Sequence, residues 1–236
     1  MKNTVRSKIA LGATLAAAAI ANASPSGWIS SDVKNNYTGG FGFGFGDYPV
    51  LQTDVGVNVG KGSFDVWTNY DSHLKTVNEH DFTVAYPVSM RDLTAKLSGM
   101  YFTFPRTTFN DAYLGEISFS HKKVPGVSLT LDKVWGKESG NGYSTNLAYN
   151  GSKSLNSKTN LNFGLSAVAN SHLYTNTTGP AVIAGKIGLS RDITKNFSVH
   201  AEARYQAPID GGKFGNTFRT RKTIGIGFNY NFGGQK

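Results

Sequence analysis

The sequence predicts an all-β chain, a single antiparallel transmembrane β-barrel of about twelve strands with short periplasmic turns and longer extracellular loops. Three observations lead there. Period-two segments recur every roughly 15–20 residues from Gly39 to the end of the chain. No segment after the N-terminus carries a capped i, i+3, i+4 apolar stripe, so helices are not expected. The first residues, "MKNTVRSKIALGATLAAAAIANA", place Lys2, Arg6 and Lys8 before an apolar run that closes on a small-residue site at Ala21–Ala23. That is the pattern of a secretory signal, and 1–23 is read as a signal peptide with 24–236 as the barrel. The run is shorter than the ~20 residues a spanning helix needs.

Losing Lys2, Arg6 and Lys8 takes the formal charge from +9 to about +6, a mildly basic exported chain. It holds no cysteine, which excludes a disulfide framework, a thiol nucleophile and a thiolate metal site. Mean hydropathy is −0.28. A long hydropathy window nevertheless misses barrel strands, because each is only ~9–11 residues of alternating character.

The strands are expected in this order. The tract "GGFGFGFG", within Tyr37 to Gly46, is read as the first wall strand, with Phe41, Phe43 and Phe45 toward lipid and Gly40, Gly42 and Gly44 toward the lumen. Residues 24–36 are left as a plug, a tail or an early part of that strand. "PVLQTDVGVNV" then sets Leu51, Thr53, Val55, Val57 and Val59 against Gln52, Asp54, Gly56 and Asn58, and "FDVWTNYD" repeats the alternation after a turn at "GKGS". Segments follow at "DFTVAYPVS", "LTAKLSGMYFTF", "AYLGEISFSH", "VSLTLDKVW", "YSTNLAYN", "KTNLNFGLSAVAN", "PAVIAGKIGLS", "FSVHAEARYQ" and "FRTRKTIGIGFNYNF". Pro87 marks a bulge or strand end, since proline lacks the donor a central strand needs. Turns at Gly60, Met90, Lys122, Gly151 and Arg191 alternate with longer connections at Gly46, Ser72, Pro105, Lys137, Ser171 and Ala207.

Alternation alone also fits a soluble β-sandwich or a lipocalin-like barrel. Three features favour lipid. Small residues crowd the polar faces (Gly56, Gly164, Gly188, Gly225, Gly227), where a water-facing strand would carry Lys, Glu and Thr. Aromatic residues, among them Tyr48, Tyr70, Tyr101, Trp135, Tyr143, Tyr174 and Tyr205, fall near strand ends, as membrane interfaces favour. The last segment places Ile224, Ile226, Phe228, Tyr230 and Phe232 on one face. It resembles the C-terminal strand of Gram-negative outer-membrane proteins, although "GGQK" follows the final aromatic residue. The export signal, the strand repeat and "PVLQTDVGVNVGKGSFDVWTNYDS" are together similar to small porin-like outer-membrane barrels, the conserved hypothetical Gcw_chp-like group. That group has no activity to carry over.

On this reading the face opposite the apolar one lines the lumen. It carries the acids Asp54, Asp65, Glu116, Asp132 and Glu202 and the bases Lys96, Lys186, His200, Arg204, Arg219 and Arg221. The bases gather in the last three segments and the acids lean toward the first seven, an arrangement that filters ions by charge. The function this supports is passive passage of ions or small polar solutes through a narrow lumen. A plugged structural or surface-contact barrel is the alternative. "SVHAEAR" raises a lipid-modifying enzyme as a third reading, but Ser198, His200 and Glu202 fall on the face turned away from lipid, so no catalytic residue is assigned. Scattered histidines and the absence of a phosphate loop give no metal or cofactor site. The expected partners are outer-membrane lipid and lipopolysaccharide, permeating solutes and the barrel-assembly machinery. Export argues against nucleic acid.

Overall fold

Strictly alternating segments satisfy their backbone only by pairing on both edges, and a sheet with no free edge must close. The computed structural model describes residues 26–39, 46–137, 141–173, 175–209 and 218–233. It is a closed antiparallel barrel of twelve strands, each paired with its sequence neighbours. The strands are β1 (Gly27–Lys34), β2 (Val50–Val59), β3 (Gly62–Asp71), β4 (Thr76–Met90), β5 (Leu93–Thr103) and β6 (Ala112–His121). They continue as β7 (Val127–Trp135), β8 (Tyr143–Ser154), β9 (Thr159–Ser171), β10 (Thr178–Asp192), β11 (Phe197–Pro208) and β12 (Arg221–Phe232). The export signal expected at 1–23 lies outside the described residues.

The first strand is not the glycine–phenylalanine tract. It is "GWISSDVK", whose Gly27 to Lys34 pair with Phe232 to Gly225 of β12 on one side and with Val57 to Val50 of β2 on the other. Tyr37 and Gly46 form an isolated bridge inside the β1–β2 connection. Phe41, Phe43 and Phe45, and the glycines between them, lie outside the described residues. β1 supplies Trp28, Ile29 and Val33, residue types that suit a half-buried strand, for the two edges it pairs.

Two further differences concern β4. The stretch at Ser72 expected as a long loop is a tight turn at 72–75, with Lys75 at φ 52°, and β4 begins at Thr76. A bulge shifts the β3–β4 register between Asn69↔Glu79 and Tyr70↔Val77. Pro87 lies within β4, two residues past the last β3 rung at Ser63↔Ala85, where no donor to β3 is required. The turns after β2, β4, β6, β8 and β10 are short. The connections 35–49, 104–111, 136–142 and 209–220 at the other end are longer.

Outward side chains form a continuous apolar belt. Leu165, Ile187, Ile224 and Ile226 are each more than half exposed, in company with Val55, Val84, Leu97, Ile117, Leu131, Leu147 and Leu189. Each such side chain left in water forgoes about 1.5–3 kcal/mol, so a belt around the whole barrel requires an apolar solvent. Aromatic residues bound it at the loop end, where Tyr101 lies 5.0 Å from Tyr113 and Lys133 sits 3.8 Å over the Tyr143 ring. They bound it again at the turn end, where Tyr149 packs on Phe163 and Phe197 on Phe228. Tyr174 lies outside the described residues.

The inward glycines are filled by their neighbours. The Trp28 ring covers Gly56 while its Nε1 donates to Asp54 at 2.6 Å. The Lys186 stem would meet a Cβ on Gly164 at 2.8 Å, and the Lys34 stem one on Gly225 at 2.9 Å. Replacing Gly56 with leucine therefore overpacks the Trp28 site. Unfolding in detergent micelles by urea, followed by Trp fluorescence, is expected to show a loss of about 1–3 kcal/mol, whereas unchanged stability contradicts the packing.

Candidate functional site: the barrel interior

Because β-strand side chains alternate, the residues opposite the belt point inward, and their strand positions divide the interior into sectors. Strands β2 to β7 carry Asp54, Asp65, Glu79, Asp81, Glu116 and Asp132, with Lys96 as the cation among them. Lys96 Nζ lies 3.7 Å from Glu116, which also accepts from the Ser98 hydroxyl at 3.2 Å. Glu116 and Asp132 are direct cross-strand partners. Oδ1 of Asp54, of Asp81 and of Asp132 is buried without a protein hydrogen bond among the described residues.

Strands β8 and β9 present an uncharged ladder that includes Ser144, Asn146, Asn150, Ser152, Asn160, Asn162, Ser166 and Asn170. Beside it, β10 to β12 and β1 bring the bases together. Lys186 and Arg204 are cross-strand partners, and Lys186 Nζ lies 3.8 Å from Glu202, with both side chains about two-fifths exposed. His200 Nε2 is 2.6 Å from Asp32 Oδ1, and its Nδ1 lies 3.2 Å from the Asn229 amide. Lys34 Nζ donates to Gln52 at 2.8 Å, linking the basic sector to β2. From there Gln52 donates to Asn69 and Asn69 to Asn78, at 3.3 and 2.7 Å.

Two cavities lie on the β8–β12 side. One of about 180 Å³ is lined by Asn146, Asn150, Ser166, Lys186 and Arg204. One of about 640 Å³ is lined by Asn150, Asn162, Lys186, His200, Glu202 and Asn229 among others. A larger concavity of about 760 Å³, over Leu165, Gly185, Ile187 and Ala203, is on the outward face and belongs to the belt.

Of the residues expected inside, Asp54, Asp65, Lys96, Glu116, Asp132, Lys186, His200, Glu202 and Arg204 occupy inward wall positions. Arg219 does not. It is exposed, lies in the connection before β12, and pairs with Asp47 at 3.6 Å. Arg221 opens β12, with its side chain 3% exposed, and donates to Asp47 at 2.7 Å and to the Gly46 carbonyl at 2.9 Å. Both arginines thus hold the end of the glycine–phenylalanine connection, at the mouth. Sequence reasoning missed Asp32 and Lys34, whose strand has weak alternation, Glu79, which the β4 bulge hides, and Asp81, which opened the segment read there and was not assigned a face. The Ser198, His200 and Glu202 row is inward as expected, with His200 committed to Asp32 and Asn229.

The loop end is narrowed from three sides. Leu173 is fully buried against Phe102, Ala112, Leu114 and Val134. Phe218 is buried with Val168, Ala181 and Val182. Tyr37 packs 5.9 Å from Trp67 and hydrogen-bonds Glu79.

No family model matches the chain, and no curated protein matches it. Solved structures do. The KdgM porin, in complex with disordered oligogalacturonate, is 10% identical at a TM-score of 0.57, over 88% of this chain and 99% of that one. The NanC porin is 12% identical at 0.54, over 85% and 98%. An outer-membrane channel from Pseudomonas putida F1 is 9% identical at 0.53, over 88% and 95%. At these identities the likeness is one of fold. The chain shares with these porins and this outer-membrane channel the fold of a closed antiparallel barrel, here of twelve strands.

The mouth contacts predict the effect of removing the Arg221 side chain. Arg221→Ala removes the 2.7 Å contact to Asp47 and the donor to the Gly46 carbonyl, leaving only the exposed Arg219 on Asp47, so chymotrypsin added outside reconstituted vesicles should cleave the 35–49 connection faster than in the unsubstituted protein. Equal cleavage rates contradict the anchoring.

Proposed function

We propose that the protein is an outer-membrane channel for passive diffusion of ions or small polar solutes through a narrow, charge-lined lumen. The observation that carries this reading is the division of the interior by sign: acids over β2 to β7, bases over β10 to β12. Charges on opposed walls polarise water and sort ions without any moving part. The lining groups are Asp54, Asp65, Lys96, Glu116, Asp132, Lys186, His200, Glu202 and Arg204, with Arg219 and Arg221 at the outer mouth. Asp32, Lys34, Glu79 and Asp81 join them. Several buried polar atoms in the wall lack a protein partner among the described residues, including Arg204 Nε and Asn146 Oδ1. Such atoms each cost about 1–3 kcal/mol unless hydrated, which favours a wet interior. The signal peptide at 1–23 and contacts with lipopolysaccharide and the assembly machinery belong to the same reading, as the route and setting of an outer-membrane barrel.

A plugged structural barrel is the second reading, favoured by the inward anchors Leu173, Phe218 and Tyr37. A lipid-modifying enzyme is disfavoured, because His200 is held by Asp32 and turned from the bilayer. The compared barrels are porins and a channel.

Planar-bilayer recording tests the choice. The purified protein is expected to give discrete single-channel steps, and a salt gradient should reveal opposite shifts in variants. Lys186→Gln with Arg204→Gln should move the reversal potential toward the cation value, and Asp65→Asn with Glu116→Gln toward the anion value. Absence of steps from folded, inserted protein sinks the channel in favour of the plugged barrel.

A further inference from the structure

The wider inner cavity holds an ion pair in an unusual condition. Lys186 and Glu202 are 3.8 Å apart, each is about two-fifths exposed, and both line the 640 Å³ space. A pair this long and this wet contributes little to stability, so its geometry is free to serve a solute. Around the pair stand the uncharged donors and acceptors Asn150, Asn162, Asn229, Ser190 and Ser198, with His200, whose charge is matched by Asp32 at 2.6 Å. Next to Lys186 stands Arg204, whose buried Nε has no protein partner among the described residues. Cation and anion are thus presented side by side, with amides and hydroxyls around them.

Resting on the channel reading, we propose that this cavity is a subsite for small zwitterionic solutes of the amino-acid class. The solute's carboxylate faces Lys186, and its ammonium faces Glu202. Each solute charge replaces one half of the Lys186–Glu202 pair, so neither protein charge is left uncompensated. An anion of the same size meets Lys186 but also Glu202. A cation meets Glu202 but also Lys186, with Arg204 beyond it in the smaller cavity that Lys186 also lines. Lys186 and Glu202 lie well within the ~8 Å Debye length of physiological salt, so the neighbouring opposite charge disfavours a singly charged solute and orients a dipolar one.

Matched solutes separate these cases: serine, glycerate and 2-aminopropane-1,3-diol share one carbon skeleton and differ in charge, while glycerol is the neutral reference. Uptake of each labelled solute into proteoliposomes holding the full-length barrel is followed in salt on both sides. Serine is expected to enter at least about threefold faster than glycerate or the aminodiol, the factor that one water-exposed charge contact supplies. In Lys186→Gln/Glu202→Gln the serine advantage should vanish while glycerol entry persists. Where that double variant does not insert, Glu202→Gln alone should lower serine entry and raise that of glycerate. Equal entry of all three charged solutes, or faster glycerate, overturns the subsite while leaving the channel. No entry of any solute, glycerol included, overturns the channel and the subsite with it.

Discussion

Everything in this molecule depends on the closure of β1 onto β12. In hydrocarbon an unpaired backbone N–H or C=O costs several kcal/mol, so a sheet can cross a bilayer only if it has no edge. The eight rungs from Gly27↔Phe232 to Lys34↔Gly225 remove the last edge. They also decide what faces what. Ile29 and Val33 lie beside Tyr230 and Ile226 in the belt, while Asp32 turns inward to His200 and Lys34 to Gln52. The seam is therefore where the outer apolar surface and the inner polar network are both completed.

The inside follows from the same geometry. A closed wall offers inward positions that never meet lipid, and there glycine gives space rather than weakness. Trp28 lies over Gly56, Lys186 over Gly164 and Lys34 over Gly225. Long charged stems run along the wall instead of filling the bore, so an interior rich in charge keeps cavities on its β8–β12 side. At the loop end the logic reverses: Leu173, Phe218 and Tyr37 bury themselves against Val134, Val182 and Trp67.

Most of this was legible in the sequence, because period two survives wherever a strand separates lipid from water. Leu51, Val55 and Val59 against Gln52, Asp54 and Asn58 needed no structure to be assigned. What was not legible broke that period. In β1 the run Ser30, Ser31, Asp32 hides which face is which, and the more regular glycine–phenylalanine tract drew the assignment one element too far. In β4 the bulge puts Asn78 and Glu79 both in buried positions, so Glu79 read as loop and Asp81 as the first residue of a strand that in fact begins at Thr76. Ala181 and Val182 do the same at the irregularity in β10. Arg219 alternated correctly with Arg221 yet sits before the strand begins, because alternation says nothing of where pairing starts. The pairing of Arg219 and Arg221 with Asp47 is a contact between distant segments, which no local pattern encodes.

The central claim is that the charged face surrounds water and the apolar face meets lipid, and the absence of native cysteine makes it directly measurable. Single cysteines at Ser190 and Leu189, adjacent on β10 but on opposite faces, would be exposed to a charged, membrane-impermeant methanethiosulfonate during bilayer recording. Ser190→Cys should react and lower the current, and Leu189→Cys should stay silent. Reaction at position 189 with position 190 inert would contradict the account.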